Sequence, residues 1–178
     1  MSVVVLTGPP CSGKSSVGSL LRNDHRIPIE VDAVFDLLLP GSDRNRHDRL
    51  VAYDGAHALA RAVADAGRTP ILECTYARRE QRASLASAFA GISLSVVEFV
   101  ISADDAAERF RGREQATDLD EASVRERVEN FPYSSLAFAL PAVGATPDEL
   151  AGAIEAWLAD GPPSVDTAAW VAAGRGWG

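Results

Sequence analysis

The stretch GPPCSGKSS, residues 8–16, constrains this chain more than any other part of it. Gly8, four residues, then Gly13, Lys14 and Ser15 match the Walker A spacing G-x-x-x-x-G-K-[ST]. Such a turn works only between a strand and a helix, and both flanks agree. Before it lies VVVL, a β-branched run suited to a buried parallel strand. After it, Val17, Leu20 and Leu21 recur at helical spacing. Glycines let the backbone approach phosphate oxygens without a Cβ clash, and successive N–H groups form an anion nest at a helix start. Lys14 is the only lysine among 17 lysine and arginine residues. An ammonium is a compact point charge, whereas a guanidinium is a broad planar fork. One lysine in a chain of arginines marks a position where the fork does not fit. The spacing therefore predicts that Gly8, Pro9, Pro10, Cys11, Ser12, Gly13, Lys14, Ser15 and Ser16 surround a nucleotide phosphate. Lys14 would reach the β- and γ-phosphates of ATP, and Ser15 would hold Mg²⁺.

Bulk properties narrow the remaining choices. A length of 178 residues with 47 % hydrophobic content gives one domain with a sizeable core. The net charge of −8 disfavours long nucleic acid, which needs a broad basic surface, but is compatible with a local basic pocket. The longest apolar stretches are too short to cross a bilayer. Strand and phosphate turn come at once, so no cleavable signal is expected. Two cysteines, Cys11 and Cys74, make no secretory framework and read as small packing residues. A cytoplasmic enzyme fits these features.

Strands and helices alternate along the chain. Strands are expected at VVVL, at IPIEVD (27–32), at TPILECT (69–75), at SLSVVEFVIS (93–102) and at SSLAFAL (134–140). A helix over about 49–66 should stop at Gly67. Ser102 with Asp105 starts another, Asp118 with Glu121 resembles a capping box, and Thr146-Pro147 with Glu149 starts a third. The class is α/β with a parallel sheet, and ligands of such sheets bind beyond the C-terminal strand ends. The tail from Asp160 either wraps back through Trp170 and Trp177 or is disordered.

One crevice should then gather the chemistry. Asp32, read as ending the second strand, faces the phosphate site and can take a proton from an attacking hydroxyl or position Mg²⁺ through water. It can equally cap the following helix. Glu73 sits where a Walker B acid would, with contact to substrate or to the magnesium water shell weighed against a structural role. Phe35, Tyr76 and Arg79 join Asp32 and Glu73 as acceptor contacts. Arg109, Arg111 and Arg113 flank Gly112, and a mobile segment carrying Arg109 and Arg113 could close over the triphosphate and neutralise transition-state charge. Arg44, Arg46, His47 and Arg49 form a basic loop that either borders the acceptor or is merely solvated. His57 reads as a structural or surface residue.

Together with the Walker spacing, EVDAVFDLLLP and TPILECTYARREQR resemble the small P-loop phosphotransferases, a group that includes chloramphenicol phosphotransferase and polynucleotide kinase. The resemblance covers roughly residues 1–158. It implies a P-loop kinase-like three-layer sandwich with a five-stranded parallel sheet in the order 2-3-1-4-5 and an arginine-bearing lid over about 109–123. The kinase domain would span 1–160 and a tail 161–178. The aspartate matching Asp32 serves that group as general base, whereas Glu73 departs from the usual Asp. MgATP and a hydroxyl acceptor follow as expectations, the acceptor being a small antibiotic- or nucleoside-like metabolite. Two alternatives remain: a kinase of 5′-hydroxyl nucleic-acid ends, and an ATP-dependent switch without acceptor chemistry.

Overall fold

β-branched side chains drive the first strand, β1 (Ser2–Thr7), into the middle of the molecule, and Val3, Val4, Val5 and Leu6 are all buried. A computed structural model describes residues 2–112 and 119–175. Four further strands flank β1: β2 (Arg26–Glu30), β3 (Thr69–Glu73), β4 (Ser93–Val100) and β5 (Phe138–Pro141). All pairings are parallel and the order is β2-β3-β1-β4-β5, the five-stranded arrangement expected from the resemblance. Strand side chains alternate between faces. Val3, Val5, Leu72 and Val96 therefore meet one helical layer, while Val4, Leu6, Ile71, Val97 and Phe99 meet the other.

The first layer holds α2 (Val31–Leu38), α3 (Arg46–Asp65), α4 (Arg79–Ala88) and α8 (Thr167–Ala173). α3 presents Ala52, Ala56, Ala60 and Ala64, buried small residues four apart that let the helix lie close. The second layer holds α1 (Lys14–Leu20) and α7 (Pro147–Ala159). α5 (Ala103–Arg111) and α6 (Glu121–Glu129) pack through Ala106, Val124 and Val128. The capping signals at Ser102 and Thr146 hold: each accepts from the backbone N–H three residues on. Gly67 follows α3 at φ 78°, as a C′ glycine does. Among the described residues no helix is long and apolar enough to cross a membrane.

Three sequence expectations shift. β2 stops at Glu30 and the helix begins at Val31, so Asp32 lies in the first turn of α2 and not at the strand end. β5 starts only at Phe138: Ser134 gives its N–H to Glu98 Oε2 on β4 at 2.7 Å and accepts from Leu136 N–H at 3.2 Å, side-chain bonds in place of a ladder. α6 is capped by Asp120, which accepts from Ser123 N–H at 2.7 Å, while Asp118 lies outside the described residues.

The segment beyond α7 returns to the sheet. Val165 N–H donates to Leu94 O at 2.8 Å, and Trp170 is fully buried. The anchor is Arg82, also fully buried on α4. It donates to Tyr76 O at 2.8 Å, Trp170 O at 2.9 Å and Pro132 O at 2.9 Å, and its guanidinium stacks on the Trp170 ring. Glu98, buried on β4, stands 3.7 Å away. Truncating Arg82 would orphan three carbonyls and leave the Glu98 charge buried. Arg82→Ala should therefore lose about 3–5 kcal/mol of stability, checked by urea unfolding; a change within a few tenths of a kcal/mol would show that Arg82 is dispensable.

Candidate active site

The phosphate turn leaves β1 at Gly8. A side chain there would put its Cβ 2.9 Å from Phe99 O and 3.1 Å from Ser12 Oγ, so only glycine lets the loop rest on β4. Cys11 at φ 60° and Gly13 at φ 93° complete the curl into α1. Lys14 folds back inside it, almost wholly buried, donating to Pro9 O at 2.9 Å and to Ser12 Oγ at 3.2 Å. Burial pushes its pKa down, partly offset by the nearby charges of Glu73 and Asp32. Arg109 reaches over from α5 and donates to Cys11 O at 3.4 Å and to Ala142 O. It thus lies against the loop; Arg113 is outside the described residues.

Ser15 opens α1 between two carboxylates. Its hydroxyl is 2.8 Å from Glu73 Oε1 and 3.3 Å from Glu30 Oε1. The one hydroxyl proton serves one acceptor at a time, and Glu73 is the closer. Glu30 and Glu73 are register partners at the ends of β2 and β3. Glu30 was not singled out from the sequence, because the strand was expected to run on to Asp32. Burial, with Glu30 and Asp32 nearby, raises the Glu73 pKa to about 7 against the pull of Lys14 and the Ser15 hydroxyl.

Beside these acids opens a cleft of about 470 Å³. Val31, Phe35, Ala52, Tyr53 and Cys74 supply its apolar wall, and Asp32 stands among its polar groups. Asp32 Oδ1 takes Arg44 Nη1 at 2.9 Å, and the same guanidinium reaches Asp36 at 2.6 Å while lying over the Phe35 ring. Burial pushes the Cys74 thiol up to about 12, and Tyr53 O–H contacts it at 2.9 Å, which fits packing and not nucleophilic attack.

Two expected acceptor contacts are placed elsewhere. Tyr76 is fully buried, its hydroxyl 3.0 Å from His57 Nε2. His57 is itself buried against Ser84, and desolvation lowers its pKa to about 4, so it stays neutral as a core residue. Arg79 is exposed at the start of α4; the arginine lining the cleft is its neighbour Arg78. Sequence reading missed Arg78, Arg127, Asn130 and Arg175, which come to the cleft from the N-cap of α4, the C-terminal end of α6 and the segment after α8. Only the adjacent arginines at 78 and 79, after the third strand, carried a signal for any of them.

Among the described residues no three His, Cys, Asp or Glu converge into a ready metal cage. A magnesium ion needs none, since it keeps several waters and takes one or two protein oxygens. The Ser15 hydroxyl between Glu30 and Glu73 offers oxygens of this kind.

The raised Glu73 pKa has a measurable consequence without any ligand. Below about pH 4.5 the carboxyl is protonated in both folded and unfolded chains. As pH rises to about 7 the unfolded chain ionises first, so stability falls, and it levels off above. The full shift corresponds to roughly 3 kcal/mol. Glu73→Gln, neutral throughout, should match the parent near pH 4.5 and exceed it above pH 7 in nucleotide-free unfolding titrations. Parallel curves would mean that Glu73 ionises as it does in the unfolded chain.

Relatives in sequence and shape agree with this geometry. A family described as AAA domain matches residues 3–132. No curated protein sequence matches the chain. Among solved structures, a sugar kinase from Janibacter sp. HTCC2649 superposes with TM-score 0.68 at 20 % identity, over 91 % of this chain and 96 % of that one. The gluconokinase of Sinorhizobium meliloti 1021 gives 0.66 at 23 %, over 89 % and 92 %. Mycobacterium tuberculosis APS kinase, solved with AMPPNP and APS, gives 0.71 at 19 %, over 89 % and 97 %. These likenesses establish a P-loop kinase fold. Since the sequence match takes in most of the chain, from the first strand through the phosphate loop and past α6, this protein belongs to the AAA domain family.

Proposed function

We propose that the chain is an ATP-dependent phosphotransferase that moves the γ-phosphate to a hydroxyl of a small organic molecule. The observation that carries this reading is one of placement. The phosphate loop and a cleft large enough for a metabolite open side by side at the same strand ends, and Asp32 stands at their junction, lining the cleft while its charge acts on Lys14 and Glu73. The neighbouring folds described as sugar kinase, gluconokinase and APS kinase support it by analogy.

In this mechanism the backbone N–H groups of the loop, Pro9 and Pro10 excepted, cradle the phosphates. Lys14 leaves Pro9 O and Ser12 Oγ for the β- and γ-phosphate oxygens, exchanging two neutral acceptors for charged ones. Ser15 would hold Mg²⁺, with Glu30, Glu73 or Asp32 through water, and the ion would supply positive charge to offset that of the phosphates. Arg44 fixes the Asp32 carboxylate at the mouth of the cleft. Asp32 takes the acceptor's hydroxyl proton as its oxygen attacks the γ-phosphorus in line, and the bond to the ADP oxygen breaks. Arg109, lying against the loop, and Arg113 of the proposed lid neutralise charge on the group in transit. Phe35 packs the acceptor's apolar side.

The alternatives make different demands. A kinase of nucleic-acid ends needs a basic track for the strand, which an acidic chain with a small cleft does not favour. A switch needs no acceptor cleft. ATP consumption measured with panels of hydroxyl compounds and of oligonucleotides separates the three: stimulation by small hydroxyl compounds is expected, and nucleotide binding without stimulation by any of them favours the switch.

Two substitutions test the chemistry. Lys14→Ala should abolish transfer and weaken ATP binding. Lys14→Arg should fail nearly as badly, because a planar fork is broader than the ammonium that the nest buries; near-normal transfer by that variant would sink the steric account. Asp32→Asn keeps size and loses the base. MgATP affinity by calorimetry should stay within a few fold, while transfer falls by roughly a hundredfold or more. Unchanged transfer would shift the base to Glu30 or Glu73.

A further inference from the structure

Arginine dominates the charged lining of the cleft. Arg49, Arg78, Arg127 and Arg175 line it, against the acids Asp32 and Glu126. In a chain of net charge −8 this is a local reversal of sign.

One piece of backbone architecture sets two of these arginines side by side. After α8 the chain runs along the lead into α4. Arg175 N–H donates to Ala77 O at 3.1 Å, and Arg78 and Arg175 form a parallel bridge. The approach requires glycine at 174, where a Cβ would stand 2.8 Å from Arg79 Cα and 2.9 Å from Arg79 N. Trp170, buried and held through its carbonyl by Arg82, fixes α8 just upstream. Arg175 is therefore delivered to the cleft by a packed core element.

The local acids offset the pair only in part. The acid nearest Arg78 is Glu80 at 3.8 Å, and Glu80 is already gripped by Arg46 through Nε at 3.2 Å and Nη2 at 2.5 Å. Arg175 has no ion-pair partner among the described residues. Two arginines on paired backbone positions that both line one cleft can share an anion, which each guanidinium can grip with paired N–H groups.

We propose that Arg78 and Arg175 form an oxyanion-recognition site within the acceptor cleft, so that the natural acceptor carries a carboxylate, sulfate or phosphate in addition to its reacting hydroxyl. This rests on the kinase reading of the cleft. Gripping the anion at the arginine wall would orient the other end of the molecule toward Asp32 and the γ-phosphate, the positioning on which transfer depends.

The test separates the two readings. MgAMPPNP is first bound to the full chain, filling the phosphate loop, and inorganic sulfate is then titrated by calorimetry. Saturable binding is expected, weakened at least tenfold by Arg78→Gln and by Arg175→Gln and undetectable in the double variant. Arg175→Gln leaves Gly174 and Trp170 in place, so its melting temperature should stay within a few degrees of the parent's. Binding of MgAMPPNP without binding of sulfate, or sulfate binding unchanged in both variants, overturns the anion site and leaves the kinase reading standing. Failure of MgAMPPNP to bind overturns the kinase reading and the acceptor class with it.

Discussion

Parallel register at the centre of the sheet is the constraint from which the site follows. Leu6 pairs with Glu73, Thr7 with Glu98, and Glu30 with Glu73, so three strands run out at one level. A parallel sheet sends every connection back from that edge, and whatever follows the strand ends is gathered there. Thr7 ties the edge together by donating its hydroxyl to Thr75 O. The phosphate loop must then turn within contact distance of the Phe99 backbone, which is the physical reason for glycine at position 8. The Walker spacing is the sequence image of a packing problem as well as of a ligand.

Charge is distributed across the crevice with a direction. At the loop, one buried ammonium, Lys14, acts with Glu73 and Asp32, and Glu30 stands beside Ser15. That side has spare acceptors for a divalent cation. In the cleft the balance reverses to arginine. A molecule lying between the two would experience a field along its length, so orientation comes from electrostatics before any shape match. The acidic bulk of the chain says nothing of this gradient, because net charge averages over surfaces that never meet the ligand.

Much of the fold was legible in the sequence, and the reasons for the remainder are physical. Short β-branched runs and strong local caps announce themselves, which is why the order of elements, Ser102, Thr146 and Gly67 could be read. The end of β2 could not. IPIEVD continues as a plausible strand, and only pairing with β3 stops it at Glu30, which moves Asp32 into a helix and hands the strand-end position to an acid not considered. Tyr76 was credited with a role at the crevice because it closely follows Glu73. Its backbone turns at φ 43° and sends the ring into the core beside His57. Arg78 and Arg79 differ only in which side of a helix start they occupy, something settled in three dimensions. Arg175 had no local signal at all, since its place depends on a bridge to a residue far away in the chain.

That bridge joins stability to recognition. Arg82 binds Tyr76 O, at the turn between β3 and α4, and Trp170 O, in the helix that precedes Arg175. The same guanidinium therefore holds both backbone segments that carry the paired arginines of the cleft. Its burial beside Glu98 looks costly for a single ion pair, and with a separation of 3.7 Å the pair alone is weak evidence for stability. The carbonyl bonds change the accounting, because each satisfies an acceptor that the fold would otherwise bury bare. A hydrophobic residue at 82 could fill the volume but could not register two distant segments against each other. Fixing that register is the role the geometry gives Arg82, and the arginine wall of the cleft depends on it.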